Sequence, residues 1–93
     1  MTEVLRVGVV GAGVFGGYHA NKYKQAEAVE FVGIYDLDKA RAEALAAQHG
    51  VQAFGGDELP SFLARIDAVT IATPAFAHAA VALKALEAGV HVY

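Results

Sequence analysis

Three glycines and one aspartate in this chain are spaced in a way that suggests a ligand-binding site. Gly11, Gly13 and Gly16 form a G-x-G-x-x-G segment directly after an apolar run, and Asp36 closes a second apolar run about twenty residues later. The first glycine permits a sharp turn, the second lets a pyrophosphate touch backbone, and the third lets a helix pack close to a sheet. Amide groups at the helix N-terminus would then face the phosphates. The pattern predicts a dinucleotide site in which Asp36 accepts hydrogen bonds from a ribose.

A phosphate loop of the nucleoside-triphosphatase type is the competing interpretation of the same glycines. Gly11 and Gly16 also fit G-x-x-x-x-G, but Gly17 and Tyr18 stand where that loop needs Lys and Ser or Thr. We therefore exclude it. The predicted phosphate-binding segment consists of Gly11, Ala12, Gly13, Val14, Phe15 and Gly16.

The acid at position 36 also bears on which nicotinamide dinucleotide is bound. Its carboxylate would repel a 2′-phosphate, and Leu37 beside it offers no cation, so NAD is favoured over NADP. Lys39 and Arg41 are close enough in sequence to keep NADP as the less favoured alternative. Asp36 could instead be a turn residue that caps the loop before the next helix.

A second candidate segment follows the fourth predicted strand. Ala72, Thr73 and Pro74 form a turn that should emerge beside the glycine-rich one, because ligands bind outside the carboxyl ends of parallel strands. The same residues also make an ordinary helix start, with Thr73 as N-cap and Pro74 in the first turn. Both interpretations can hold together. His78 lies one turn into that helix.

Other kinds of site find little support. The four histidines (His19, His49, His78 and His91) are too scattered for a zinc pattern, and there are no cysteines, so no metal site is expected. Ser61 is the only serine and no G-x-S-x-G surrounds it. The adjacent acids Asp57 and Glu58 are interpreted as charge at the start of a short helix. We assign no catalytic residue.

Composition limits the partners and the location. The chain has 93 residues, 56% of them apolar, and a formal net charge of −3 with scattered Lys and Arg. A chain without a basic cluster is not expected to bind nucleic acid, and its interrupted apolar runs do not predict a membrane span. A cytoplasmic location fits the lack of cysteine and the early start of the first strand.

Short apolar runs alternate with helical patterns, which predicts repeated βαβ units in a three-layer α/β Rossmann fold with parallel strand order 3-2-1-4-5. We expect Leu37, Ala40, Ala44 and Ala47 to form the apolar stripe of the second helix, and Phe76, Ala80, Leu83 and Leu86 that of the last. The predicted strands are Leu5–Val10, Glu30–Tyr35, Val51–Phe54, Asp67–Ala72 and Val90–Tyr93, and the predicted helices are Val14–Gln25, Asp38–His49, Leu59–Arg65 and Pro74–Ala88.

The sequence stops at Tyr93 inside the fifth apolar run, so we expect residues 1–93 to be the front part of a longer protein, cut within strand five. An apolar edge strand of this kind favours edge-to-edge pairing. We therefore expect self-association.

Taken together, these segments resemble the glucose–fructose oxidoreductase/inositol dehydrogenase (Gfo/Idh/MocA) family over essentially the whole chain. The resemblance rests on the glycine-rich segment with His19, on Tyr35-Asp36, on Asp67 to Pro74 with His78, and on Ala85 to Val92. The family often has Asn directly after Thr-Pro, where this chain has Ala75.

The resemblance implies a role for each matching residue. Gly11, Gly13, Val14 and Phe15 match backbone contacts to the pyrophosphate, and Asp36 matches the adenosine-ribose ligand. The turn that flanks the nicotinamide half of the cofactor is matched by Ala72, Thr73, Pro74 and His78. The family's catalytic lysine, in a Glu-Lys-Pro segment, and its α+β substrate domain would follow these residues. The implied activity is hydride transfer between a nicotinamide and a sugar or polyol carbon.

Two alternatives stay open at this point. A non-enzymatic dinucleotide sensor could have the same Rossmann core, and so could another two-domain reductase of the dihydrodipicolinate or homoserine type. The Thr-Pro-x-x-x-His turn argues against the second. As part of a dehydrogenase of the resembling family, the 93 residues alone are expected to bind dinucleotide weakly and to catalyse nothing.

Overall fold

A computed structural model describes residues 5–11, 29–72 and 75–92 of the chain. Five parallel strands form one sheet in the order β3-β2-β1-β4-β5, which confirms the predicted fold class and strand order. The strands are β1 (Leu5–Val10), β2 (Val29–Asp36), β3 (Gln52–Gly55), β4 (Ala68–Ile71) and β5 (His91–Val92), and the helices are α1 (Lys39–His49), α2 (Leu59–Leu63) and α3 (Ala75–Glu87).

Two apolar clusters separate the layers of the fold. Val9 and Ile34 of the sheet pack with Ala42, Leu45 and Ala46 of α1 on one face. The other face packs against α2 and α3 in a larger cluster made of Val10, Tyr35, Phe54, Leu59, Phe62, Leu63, Ile66, Val69, Ile71, Ala85 and Val90. Because successive strand residues point to opposite faces, neighbours such as Val9 and Val10 contribute to different clusters. A sheet covered on both faces needs mainly apolar strands, and β4, apart from the buried Thr70, and most of β1 are apolar.

Local capping sets the ends of α1. The Asp38 carboxylate accepts hydrogen bonds from the backbone N–H groups of Ala40 and Arg41 at 3.0 and 3.4 Å, so Asp38 is the N-cap and the helix begins at Lys39. Gly50 ends the helix as predicted, and its backbone N–H donates to the carbonyl of Ala46. The short connection to β2 thus places the first turn of α1 beside Asp36.

The predicted apolar faces of both helices were wrong. In α1 the buried residues are Ala42, Leu45 and Ala46, whereas Leu37 is 77% exposed and the three alanines of the predicted stripe are exposed. In α3 it is Ala85 that is buried, whereas Ala80 is exposed and Leu83 and Leu86 are 59% and 62% exposed; the side chain of Phe76, the fourth predicted residue, lies outside the description. Both helices are rich in alanine, so several stripes are almost equally apolar and the pattern cannot choose among them.

Strand and helix ends shift by one or two residues at most elements, which is usual where hydrogen bonding decides the boundary. The helix predicted to end at Arg65 ends at Leu63, and the segment that follows β3 also differs from the prediction. Gly55, predicted as part of a turn, is the last residue of β3, and Gly56–Glu58 form a 3₁₀ turn before α2. The predicted helix Val14–Gln25 lies outside the described residues.

Candidate nucleotide site

The carboxyl ends of β1, β2 and β4 meet at one edge of the sheet, where the strand order reverses. Gly11 follows β1, and its backbone N–H donates to the carbonyl of Tyr35 in β2 at 2.7 Å. On the other side, Ala72 N–H donates to the carbonyl of Val10 at 2.8 Å. Val10 and Gly11, at the end of β1, are therefore bonded to the residue that follows β4 and to the residue that precedes Asp36. This is the position at which open parallel sheets bind their ligands.

Gly11 is buried and has a φ of 101°, which a residue with a side chain rarely adopts. This positive φ is what a sharp turn out of β1 would require of its first residue. The motif residues Ala12, Gly13, Val14, Phe15 and Gly16 lie outside the described residues, as do Thr73 and Pro74. The backbone of His78 is part of α3, but its side chain also lies outside the description.

Asp36 is half-buried at the end of β2, and its Oδ1 accepts the backbone N–H of Asp38 at 2.8 Å. This bond closes a local turn between β2 and α1. The helix cap itself is made by Asp38. Because a carboxylate has about four acceptor positions, the turn bond is compatible with ribose hydroxyls as further donors.

Tyr35 anchors this end of β2 from the opposite face. Its hydroxyl donates a hydrogen bond to the carbonyl of Gly56, and its buried ring lies 6.1 Å from the ring of Phe62. Burial raises the pKa of the Tyr35 phenol, and the neighbouring carboxylates, that of Asp36 first, raise it further. The phenol therefore stays protonated and keeps β2 joined to the 3₁₀ turn.

Next to Asp36 an open cleft of about 430 Å³ separates the end of β2 from α2 and α3. Leu37 and Tyr35 form its β2 side, and Val81 of α3 lies across from them. The remaining lining residues are Gly56, Asp57, Leu59, Pro60, Ala80 and Lys84. A mostly apolar cleft beside a carboxylate suits a flat ring attached to a sugar.

Both candidate cations near Asp36 are in ion pairs. Lys39 Nζ lies 2.9 Å from Glu58 Oε1, and Arg41 Nε lies 3.8 Å from Asp38 Oδ2. Glu58 Oε1 also accepts the backbone N–H of Gly55 at 3.0 Å. Neither contact of Glu58 was predicted from the sequence, where Glu58 was interpreted as charge at the start of a short helix. A local signal existed for the bond between Glu58 and Gly55, because an acid three residues after a turn position is the second half of a capping box.

A separate ion pair joins β1 and β4 at the other end of the sheet. Arg6 Nη2 lies 3.2 Å from Asp67 Oδ1, and the backbone N–H of Arg6 donates to Asp67 Oδ2 at 3.0 Å. Within residues 5–11, 29–72 and 75–92, no group of three or more His, Asp or Glu side chains is placed to hold a metal ion. None of the helices described is long and apolar enough to cross a membrane.

This geometry defines a dinucleotide-binding type of α/β domain, with its ligand edge at the strand-order reversal. The model of the oxidoreductase family with an NAD-binding Rossmann fold, GFO_IDH_MocA, matches residues 5–93. The chain belongs to this family. The resemblance drawn from the sequence motifs is therefore confirmed, and so is NAD as the cofactor that the family's fold binds.

Several relatives are known by activity. The chain is 41% identical over 87 residues to a UDP-N-acetylglucosamine 3-dehydrogenase from Acidithiobacillus ferrooxidans, covering 94% of this chain and 26% of the relative. It is 38% identical to an inositol 2-dehydrogenase from Pseudarthrobacter chlorophenolicus, covering 92% and 26%.

Among solved structures, myo-inositol dehydrogenase from Lactobacillus casei in complex with NAD(H) and myo-inositol superposes with a TM-score of 0.83 at 32% identity. That match covers 96% of this chain and 27% of the other. The chain thus spans about a quarter of the length of the relatives it matches.

Proposed function

We propose that this chain is the cofactor-binding part of an NAD-dependent dehydrogenase that acts on a sugar, a polyol or a related CH–OH substrate. The observation that carries the proposal is the positive φ of Gly11, at a strand end that is hydrogen-bonded to the ends of β2 and β4. The family match and the dehydrogenase activities of the relatives support an enzyme over a non-enzymatic sensor.

Each part of the cofactor has a proposed place at the sheet edge. The backbone from Gly11 to Gly16 takes the pyrophosphate, and Asp36 takes the adenosine ribose. The adenine ring lies in the apolar cleft against Leu37. The segment Ala72, Thr73, Pro74 and His78 flanks the nicotinamide half. Hydride transfer is the chemistry that a bound nicotinamide supplies, while these residues bind and orient it.

The substrate and the acid–base group are proposed to be held by parts of a longer protein. Relatives about four times as long support this division. Residues 1–93 would then form the NAD-binding domain and would not turn over substrate by themselves. A cytoplasmic location is part of the proposal, in keeping with a chain without cysteines.

We further propose that the chain self-associates through its β5 edge. β5 stands at the end of the strand order and pairs with β4 on one side. Leu83 and Leu86 of the adjacent helix α3 are well exposed, so pairing along β5 could also cover apolar surface.

Calorimetric titration of the chain with NAD and with NADP tests the proposed function. We expect NAD to bind about ten-fold or more tightly than NADP, because a carboxylate at position 36 bonds to ribose hydroxyls and repels a 2′-phosphate. Circular dichroism of the same sample checks that the chain is folded. If the folded chain gives no heat with NAD, or prefers NADP, the proposal is contradicted.

A further inference from the structure

Lys39 is a cation carried next to the ribose acceptor, yet it is tied to a residue outside that site. Lys39 opens α1 three residues after Asp36, and its ammonium lies 2.9 Å from Glu58 Oε1. The same Glu58 oxygen accepts the backbone N–H of Gly55 at 3.0 Å. Gly55 is the register partner of Asp36 in the sheet. One oxygen of Glu58 thus links the end of β3 to the start of α1, beside the carboxylate that would bind ribose.

The charges of this pair reinforce each other. The hydrogen bond from Lys39 and that from Gly55 lower the pKa of Glu58, and the Glu58 carboxylate raises the pKa of Lys39. Both groups are therefore ionised at neutral pH. The side chains are 53% and 38% exposed, so the pair is solvated and can be separated at modest cost.

A 2′-phosphate is recognised by a cation next to the β2 end, where NAD carries a hydroxyl instead. Lys39 and Arg41 are the cations that the sequence offers there, and each has an acidic partner in the structure. The Arg41 contact to Asp38 is long at 3.8 Å and lies within α1 and its cap. The Lys39 contact is short and directs the ammonium toward the 3₁₀ turn that holds Glu58.

We propose that Glu58 is a positioning residue for cofactor selectivity, because its carboxylate holds the Lys39 ammonium away from the place where a 2′-phosphate would bind. The inference rests on the proposed NAD site at Asp36. Asp36 would repel the 2′-phosphate of NADP. Glu58 would add a second effect against NADP, because it keeps the positive charge of Lys39 from attracting that phosphate. Selectivity between related ligands is commonly built from both kinds of interaction.

Glu58→Gln tests the proposal with little disturbance of the backbone, because the Gln carbonyl can still accept the Gly55 N–H. We expect NADP affinity to rise about two- to five-fold, the range that an exposed ion pair can impose, with NAD affinity unchanged. The gain should disappear in the double variant Lys39→Gln/Glu58→Gln compared with Lys39→Gln alone. A positional role through Lys39 requires that dependence, whereas a merely structural role of Glu58 would not produce it.

Glu43→Gln is the matched control. Glu43 lies one turn along α1 from Lys39 and raises the pKa of Lys39 through its charge, so the variant removes an equal charge nearby. Equal gains of NADP affinity in Glu43→Gln and Glu58→Gln would reduce the effect to general electrostatics and overturn the proposal. So would a gain in Glu58→Gln that persists without Lys39, or no gain at all. If the unmodified chain does not bind NAD, the proposed NAD site itself is wrong.

Discussion

The Asp36 side chain combines a structural role with a proposed ligand-binding role. Its Oδ1 closes the turn to Asp38, and Asp36 itself stands between Tyr35, whose carbonyl bonds to Gly11, and Leu37, which lines the apolar cleft. Fixing a carboxylate with a backbone hydrogen bond reduces the freedom that it must lose when a ribose binds. The two interpretations that the sequence left open are thus compatible in this geometry.

Replacement of this side chain should separate the two roles. We expect Asp36→Ala to weaken NAD binding by about ten-fold or more, through loss of charged hydrogen bonds, and to narrow the preference for NAD over NADP. Asp36→Asn is the control, because its amide oxygen can keep the turn bond to Asp38 while the charge is lost. Titration of both cofactors against both variants measures the effect. Unchanged selectivity in Asp36→Ala would argue against a ribose contact.

At the scale of elements, β1 and α2 approach each other closely. A Cβ built on Gly8 would lie 2.5 Å from Cζ of Phe62, whose ring is fully buried between the sheet and α2. The ring also lies 5.3 Å from that of Phe54 on β3. A larger residue at position 8 must therefore displace a packed ring, which cores tolerate poorly.

Gly8→Ala is accordingly expected to lower the free energy of unfolding by about 1–3 kcal/mol. In a Phe62→Leu background the same substitution should cost less by about 1 kcal/mol, because the smaller side chain leaves room for the new methyl group. Urea denaturation of the unmodified chain, both single variants and the double variant gives the coupling. Strictly additive effects would show that the two residues do not compete for space.

How far the sequence could predict these elements depends on the residues in each. Glycines and capping acids mark the ends of α1 clearly, and the continuous apolar runs of β1 and β4 identify covered parallel strands. The alanine-rich α1 and α3 carry no such information on their faces, because Ala42 and Ala44 differ only in what lies opposite them. The Lys39–Glu58 pair joins residues of different elements, so its partners are set by the sheet register and not by local spacing.

Across the whole molecule, the Arg6–Asp67 ion pair lies at the opposite end of the sheet from the proposed cofactor site. The Arg6 guanidinium and backbone N–H lower the pKa of Asp67, where β1 and β4 begin. A carboxyl whose pKa is lower in the folded chain stabilises the fold above its unfolded pKa of about 3.9 and ceases to do so as the pH falls through the folded value.

Asp67→Asn should therefore lower the thermal midpoint at pH 7 by a few degrees, and the gap from the unmodified chain should close as the pH drops below about 4. The effect is small because both side chains are partly exposed. Glu87→Gln, on the exposed side of α3, is the control and should open no comparable gap. A gap for Asp67→Asn that stays constant down to pH 3 would contradict the role of the ion pair.

The position of β5 at the edge of the sheet bears on whether copies of the chain assemble. We expect the chain to form dimers or larger species as its concentration rises, because an edge strand next to exposed leucines favours pairing with a second copy. His91→Lys should reduce this, since His91 is exposed on β5 and an added charge on an edge strand opposes pairing. Light scattering across a concentration series measures the mass. A monomer at the highest concentration would contradict the proposed self-association.

Backbone amide spectra recorded during an NAD titration test directly whether the segment after β1 binds the dinucleotide, because they report which residues the dinucleotide contacts. The proposed binding mode predicts that the largest ¹H–¹⁵N shifts fall on the amides of residues 11–16, with smaller ones at 36–37, 72–73 and 75–78, and that the Arg6 and Asp67 amides at the far end of the sheet stay unchanged. Large shifts at that far end, with the amides after β1 unmoved, would contradict it.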